Sequence, residues 1–155
     1  MAVLSLENLF KIALQIEREG VKFFNRWTQL AETEELQMFF SMLAEEEEDH
    51  IRDFMKIAKE SRNSGSTVEI SNALEEFYKK FSREVLFNDQ EFNKITNMKQ
   101  ALQVAKKQEI DAQLFYSELR KHIDKSYYNI IDRIISEEQK HYKKISDLQK
   151  TLKLY

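Results

Sequence analysis

Two short motifs in the chain pair a glutamate with a histidine three residues later. Glu47 and His50 form the first pair, and Glu138 and His141 form the second, 91 residues further along. On a helix, residues three apart leave from one face, one turn apart, so each pair presents a carboxylate and an imidazole together. Directed into a core, these two groups are costly unless a partner compensates them, and a metal ion would do so.

Each pair lies on an apolar stripe of helical periodicity. The two stripes align in register, matching Phe40 with Ile131, Leu43 with Ile134, Phe54 with Ile145 and Ile57 with Leu148. One Glu-x-x-His motif is easily supplied by chance. Two of them in a short chain, on stripes that match position by position, are a much stronger indication that both pairs point into one core.

Two further glutamates lie inside apolar helical stripes. Residues 13–24 align with residues 105–116, which places Glu17 on Glu109, Gly20 on Ala112 and Phe24 on Tyr116. The two halves of the chain therefore repeat beyond the Glu-x-x-His pairs. The repeat predicts two related helical hairpins, each with one lone glutamate and one Glu-x-x-His pair.

The composition favours helices over strands. The 155 residues include no Pro and only two Gly, whereas an all-β domain needs many turns built from both. Periodicity predicts helices over 5–31, 33–61, 71–87 and 98–123, and from about 126 to near the C-terminus, with the clearest break at 61–67. We therefore expect a single all-α domain over 1–155: a four-helix bundle of two hairpins, joined by a long crossover that contains a short extra helix.

The number of residues between each candidate glutamate and the turn of its hairpin predicts that the candidate side chains lie at the same level along the bundle. With turns near residues 32 and 124, Glu17 and Glu47 each lie 15 residues from the first turn, and Glu109 and Glu138 lie 15 and 14 residues from the second. At about 1.5 Å of rise per residue, each lone glutamate is level with its pair. Packing the hairpins together brings four carboxylates and two imidazoles into the middle of the core.

This residue set matches a carboxylate-bridged dinuclear metal site, usually of iron or manganese. The predicted metal ligands are Glu17, Glu47, His50, Glu109, Glu138 and His141. Glu47 and Glu138 are expected to bridge the two ions, and Glu17 and Glu109 to be terminal ligands. The absence of Cys argues against a structural zinc site with thiolate ligands.

Several neighbours of the predicted ligands have more than one interpretation. Glu46 and Glu137 occupy equal positions and either contact the ligands from outside or belong to a solvated face. Gly20 and Ala112 either leave room beside the metals or allow close helix packing. Tyr116 is either a core aromatic with a hydrogen-bonded hydroxyl or a participant in electron transfer. His122, near a helix end, is not expected to be a ligand.

The order Glu, Glu-x-x-His, Glu, Glu-x-x-His resembles the rubrerythrin-like di-iron proteins of the ferritin-like superfamily. The resemblance spans essentially the whole chain and includes Phe23-Phe24 after Glu17 and Phe115-Tyr116 after Glu109. It implies a ferritin-like bundle with a non-haem di-iron centre that reacts with peroxide or dioxygen. The chain departs from the family in having no Cys for a rubredoxin-type domain. It also has Ala112 where the family carries an extra carboxylate.

The expected cofactor is two iron ions, with manganese or a mixed metal pair as alternatives. The expected activity is redox chemistry on peroxide or dioxygen coupled to iron oxidation, with an external electron donor of unknown identity. One alternative is an iron-binding or iron-buffering protein with slow ferroxidase activity, and another is a structural or regulatory bundle that keeps the site. A closed iron-storage shell is not expected, because the crossover is long and no fifth helix follows the fourth.

Composition and charge also indicate which classes of partner are not expected. Net charge is −3 and the lysines are scattered among acidic residues, so we expect no nucleic-acid partner. No apolar run approaches the length of a membrane span and residues 1–6 do not resemble a signal peptide, so a cytoplasmic protein without a membrane partner is expected. A homodimer is expected, with 71–87 as a candidate interface or lid, and a domain-swapped dimer stays open.

Overall fold

The computed structural model describes residues 2–61, 67–82 and 94–155 of the protein. Within them the helices are α1 (Leu6–Leu30), α2 (Glu34–Ser61), α3 (Asn72–Ser82), α4 (Met98–Arg120) and α5 (Tyr128–Leu152). The helix α1 packs along α2, and α4 packs along α5, while α3 lies against α1 and α4. The predicted helical bundle of two hairpins is confirmed.

Side-chain caps start the helices where the sequence places them. The hydroxyl of Ser5 accepts a hydrogen bond from the backbone N–H of Asn8 at 3.1 Å, and Thr33 and Ser71 make the same bond three residues ahead. At the start of α4, the Asn97 side chain accepts from Gln100 N–H at 2.9 Å. These bonds satisfy backbone donors that a first helical turn leaves unpaired.

A short antiparallel sheet joins the two ends of the first hairpin, and the sequence did not predict it. β1 (Val3–Ser5) pairs with β2 (Thr67–Glu69), and Ile70 N–H donates to the carbonyl of Ala2 at 2.9 Å. The sheet fixes the entry into α1 beside the segment that leads into α3. It adds to the all-α bundle without changing its topology.

The end of α4 was predicted three residues too late. The helix stops at Arg120, His122 N–H bonds back to the carbonyl of Leu119 at 2.9 Å, and a 3-10 turn at Lys125–Tyr127 leads into α5. Ile123 is nevertheless buried, which explains why the apolar periodicity continued past the helix. The predicted continuation of the short helix over 83–87, its end at 88–89 and most of the break at 61–67 lie outside the described residues.

The core consists of two apolar clusters with a polar layer between them. One cluster includes Leu9, Phe54, Phe115 and Ile134, and the other includes Phe24, Phe40, Leu43 and Ile145. Buried glutamates and histidines of the four long helices lie between the clusters. Among the helices of the described ranges, none is long and apolar enough to cross a membrane.

Candidate metal centre

The polar layer consists of the six predicted ligands. They are Glu17 from α1, Glu47 and His50 from α2, Glu109 from α4, and Glu138 and His141 from α5. None of the six is more than 4% exposed. All six come from one chain, so a second chain is not needed to complete the cluster. The homodimer, and a role of α3 at its interface, stay predictions.

The ligand atoms form two overlapping groups of four. Within each group, one atom per residue lies within 4.8 Å of the others. The first group consists of Glu17, Glu47, His50 and Glu138. The second consists of Glu47, Glu109, Glu138 and His141. Glu47 and Glu138 belong to both groups. Two adjacent positions that share two carboxylates are the arrangement in which those carboxylates would bridge a pair of ions.

In both histidines the Nδ1 atom faces into the cluster. Nδ1 of His50 lies 2.7 Å from Glu138 Oε1 and 3.4 Å from Glu17 Oε2. Nδ1 of His141 lies 3.1 Å from Glu47 Oε1 and 3.7 Å from Glu109 Oε2. The two rings stack with centroids 5.9 Å apart. The layer is therefore nearly symmetric, as the sequence repeat predicts.

Several of these inward atoms are buried without a hydrogen-bond partner among the described residues. They are Glu17 Oε2, His50 Nδ1, Glu109 Oε2 and Glu138 Oε1. The short contact between His50 Nδ1 and Glu138 Oε1 lacks hydrogen-bond geometry. Buried polar atoms left unpaired are costly, and a bound ion is one of the few things that can satisfy them. Oxygen and imidazole donors that converge in this way fit a pair of divalent cations.

Comparison with known proteins agrees with this geometry. Residues 7–149 match the rubrerythrin family. The chain belongs to the rubrerythrin family. Its fold is similar to the crystal structure of a Thermotoga maritima protein described as a ferritin-like diiron-carboxylate protein, with a TM-score of 0.80, 20% identity and 97% of each chain covered. No curated protein matches the sequence. Family and buried cluster together indicate a di-metal site in this rubrerythrin-family chain.

Each histidine is held from outside by a carboxylate of the other hairpin. Nε2 of His50 lies 2.6 Å from Glu137 Oε2, and Nε2 of His141 lies 2.6 Å from Glu46 Oε2. Arg133 in turn contacts Glu137 at 3.5 Å. A carboxylate on Nε2 keeps the proton there and leaves the Nδ1 lone pair free for a metal. The sequence left open whether Glu46 and Glu137 contact the predicted ligands or belong to a solvated face. The structure places both against the histidines, in a crosswise pairing that was not predicted.

Removing one outer carboxylate should weaken one metal position selectively. In the rubrerythrin-family chain, Glu137→Ala should lower affinity about 10–100-fold at the position next to His50, because the ring loses the contact that orients it. Glu46→Ala should do the same next to His141. Ferrous titration without oxygen should therefore show one tight and one weak ion in each variant. Two tight ions, as expected for the exposed-residue control Glu48→Ala, would contradict this role.

Burial and mutual repulsion divide the four carboxylates into two kinds. Burial, together with the charges of Glu47 and Glu138, raises the pKa of Glu17 and of Glu109 well above the usual value. Burial would also raise the pKa of Glu47 and Glu138, but short contacts with the lone glutamates and the histidines outweigh it and lower both values. The metal-free cluster thus holds two neutral and two ionised carboxylates.

The histidines complete the charge balance. Burial would lower the pKa of His50 and His141, but contacts with the surrounding carboxylates outweigh it and raise both values far above the usual range. Two imidazolium charges then compensate two carboxylates, and the cluster is neutral without metal. With all four carboxylates ionised and both rings neutral, the cluster would carry four negative charges, which two divalent cations balance.

Metal binding should consequently release about four protons for two divalent ions, two from carboxyl groups and two from imidazoles. Because protons compete with the metal and the ligands bind only when deprotonated, affinity should fall as the pH is lowered from 7 to 6. The protons released can be counted with a pH indicator in weakly buffered solution as Mn²⁺ is added. Binding without proton release and with the same affinity at both pH values would show that the charge assignment is wrong.

Tyr116 breaks the symmetry of the layer. Its hydroxyl donates a hydrogen bond to Oε1 of Glu17, and its ring lies on Phe54 with centroids 4.9 Å apart. Burial and the nearby glutamate charges raise the pKa of Tyr116, so the hydroxyl keeps its proton. The equivalent residue, Phe24, has no hydroxyl to offer Glu109. The hydrogen-bonded interpretation of Tyr116 is observed, and a part in electron transfer stays a prediction.

Small residues leave space beside the cluster. Gly20 and Ala112 line a cavity of about 300 Å³ between α1 and α4, and its inner end is formed by Glu47, Glu109 and Glu138. A Cβ added at Gly20 would lie 3.5 Å from Oε2 of Glu47. Of the two interpretations of these small residues, the structure favours the one that leaves room beside the predicted metal positions. His122 is not in the cluster.

Proposed function

We propose that this rubrerythrin-family protein binds two iron ions in the polar layer and reduces a peroxide, or dioxygen, as the iron is oxidised. The observation that supports this most directly is the pair of overlapping ligand groups that share Glu47 and Glu138. Glu17 and His50 would complete one iron position, and Glu109 and His141 the other. Carboxylate and imidazole donors without thiolate suit iron or manganese, and the family favours iron.

The cavity and the apolar clusters support oxidant chemistry over simple metal storage. The apolar clusters on either side of the layer limit water access, and the cavity offers one route from the surface to the shared carboxylates. Two bound ferrous ions would supply the two electrons that reduction of hydrogen peroxide to two water molecules takes, together with two protons. An external donor must then restore the ferrous state.

The residues of the chain have defined parts in this proposal. Glu46 and Glu137 orient the two imidazoles, and Tyr116 holds Glu17. The four ionised carboxylates balance the charge of two ferrous ions, so no net charge is left in the low-dielectric core. Oxidation would add positive charge to this layer. Partly exposed Glu46 and Glu137 lie where they can compensate it from outside.

Steady-state peroxide consumption tests this function. Iron-loaded protein with a chemical reductant and hydrogen peroxide should turn over many times per iron pair, whereas metal-free protein should not. Iron buffering with slow ferroxidase activity is the second candidate, favoured by the absence of Cys in the 155 residues to accept electrons near the site. It predicts one oxidation per iron pair and then a stop. A site that keeps its iron and never oxidises it would contradict both.

A further inference from the structure

We propose that the preferred oxidant is an organic hydroperoxide whose apolar group occupies the cavity between α1 and α4. This inference rests on the proposed function and names the substrate class of the same site. The cavity measures about 300 Å³. Hydrogen peroxide is little larger than water, which takes about 30 Å³ in the liquid, whereas an apolar cavity of about 150 Å³ holds benzene. The space therefore exceeds what a diatomic or inorganic oxidant needs.

Five apolar residues line the cavity beside the polar side chains of Glu19, Lys107 and Gln108, so part of its wall is suited to hydrocarbon. Ile16, Gly20 and Phe24 come from α1, and Val104 and Ala112 come from α4. Removing apolar surface from water is favourable in proportion to its area, so an apolar group gains from these walls and a bare peroxide does not. Ligand cavities typically start at about 300 Å³ and combine apolar walls with a few convergent polar groups.

Two sets of charged residues in the lining differ in depth, one buried and one nearer the surface. Glu47, Glu109 and Glu138 form its inner end, where the ligand groups overlap. At the outer side, Lys80 of α3 forms a 3.0 Å salt bridge with Asp111 of α4. A molecule with a polar oxygen pair at one end and a hydrocarbon group behind it matches this order. The O–O group would lie at the cluster and the hydrocarbon group along the walls.

The reaction balances without a further reactant. The O–O bond of ROOH breaks, one oxygen leaves in the alcohol ROH and the other leaves as water. The change takes up two protons and two electrons, and oxidation of the two ferrous ions to ferric ions provides the electrons. The external one-electron donor that the proposed function already requires then reduces the two ferric ions. The alcohol has the same hydrocarbon group and must leave by the same cavity.

A kinetic comparison with two oxidants tests the substrate class. Cumene hydroperoxide should give a kcat/KM about tenfold or more above that of hydrogen peroxide in the iron-loaded protein. Val104→Phe narrows the cavity and should reduce the cumene hydroperoxide value about tenfold, while the hydrogen peroxide value changes less than about twofold. Ile110→Phe is the matched control, because Ile110 lies on the same helix but is 43% exposed and outside the cavity.

Binding of the product alcohol gives a second readout that needs no turnover. In metal-free protein, 2-phenyl-2-propanol should shift the backbone amide resonances of Gly20 and Ala112, and the shifts should be lost in Val104→Phe and kept in Ile110→Phe. Circular dichroism and iron content confirm that both variants fold and load.

The outcomes separate this inference from the proposed function. Turnover of hydrogen peroxide without preference for cumene hydroperoxide, and without alcohol binding at these amides, would overturn the organic substrate and leave the proposed function intact. Consumption of neither peroxide by iron-loaded protein would overturn this inference and remove peroxide from the proposed function, even if the alcohol binds. Ferrous protein that dioxygen also fails to oxidise would overturn the proposed function as a whole.

Discussion

Replacing Glu47 and Glu138 together by alanine should abolish stoichiometric metal binding. Each residue contributes an atom to both ligand groups, so the double substitution leaves each position with one glutamate and one histidine. Two protein donors are too few to hold iron against water in a site whose predicted ligands come from the four long helices. We expect about two ions per chain in the wild type and none bound tightly in the double variant, measured by elemental analysis after gel filtration.

The fold should survive this substitution, which keeps the test informative. Glu47 and Glu138 carry the two negative charges of the metal-free cluster, and His50 and His141 can lose their protons once those charges are gone. Glu48→Ala, at an exposed position next to Glu47, is the control and should bind two ions. If the double variant retained both ions with an intact fold, the shared carboxylates would not be ligands.

Removing the metal from the wild type should lower its thermal stability by about 8–16 °C. A ligand that binds only the folded chain stabilises it by about 4 kcal/mol when present at a thousandfold excess over its Kd. For a chain of this size, each kcal/mol moves the midpoint of thermal unfolding by about 2–4 °C. This binding free energy already includes the cost of the unpaired atoms in the metal-free layer, which a bound ion would satisfy.

Calorimetry of metal-free and iron-loaded protein, kept free of oxygen, measures this difference. The double variant Glu47→Ala/Glu138→Ala serves as the control, since it should unfold at one temperature with or without iron. An equal shift in both proteins would place the bound iron elsewhere on the chain. Equal midpoints for metal-free and loaded wild type would mean that the polar layer is stable by itself.

The cluster of four glutamates and two histidines could be predicted because its determinants are local and repeated. Glu47 and His50 are fixed relative to each other by helix geometry, and the match with Glu138 and His141 showed that both pairs serve one core. Nearly equal distances along the chain from the hairpin turns then place Glu17 and Glu109 level with these pairs. Spacing along helices was sufficient for these six positions. The place of Glu46 and Glu137, one residue before each pair, allowed an outward contact but did not distinguish it from a solvated face.

Features that depend on packing between distant segments were not predictable in the same way. The β1–β2 sheet pairs three-residue strands more than sixty residues apart, and strands so short have no readable periodicity. Ile123 is buried although it lies in a turn, so the apolar pattern continued past the helix and the end of α4 was predicted too late. The size of the cavity depends on how closely α1 and α4 approach and on where α3 lies, and no local pattern encodes either.

The asymmetry of the polar layer could be predicted only in part. The sequence shows that Tyr116 and Phe24 occupy equivalent positions, so a difference between the two halves was visible. That the Tyr116 hydroxyl would bond to Glu17, on the other hairpin, depends on how the hairpins face each other. The same holds for the crosswise pairing of Glu46 with His141. Contacts of this kind follow from the assembled bundle rather than from either hairpin.

Anomalous diffraction at the iron absorption edge, from crystals of iron-loaded protein, would locate the bound iron directly. We expect two peaks inside the polar layer, one beside Nδ1 of His50 and one beside Nδ1 of His141, with Glu47 and Glu138 in contact with both. Iron peaks only at the surface, or a layer without iron in a chain of unchanged fold, would contradict a di-iron site.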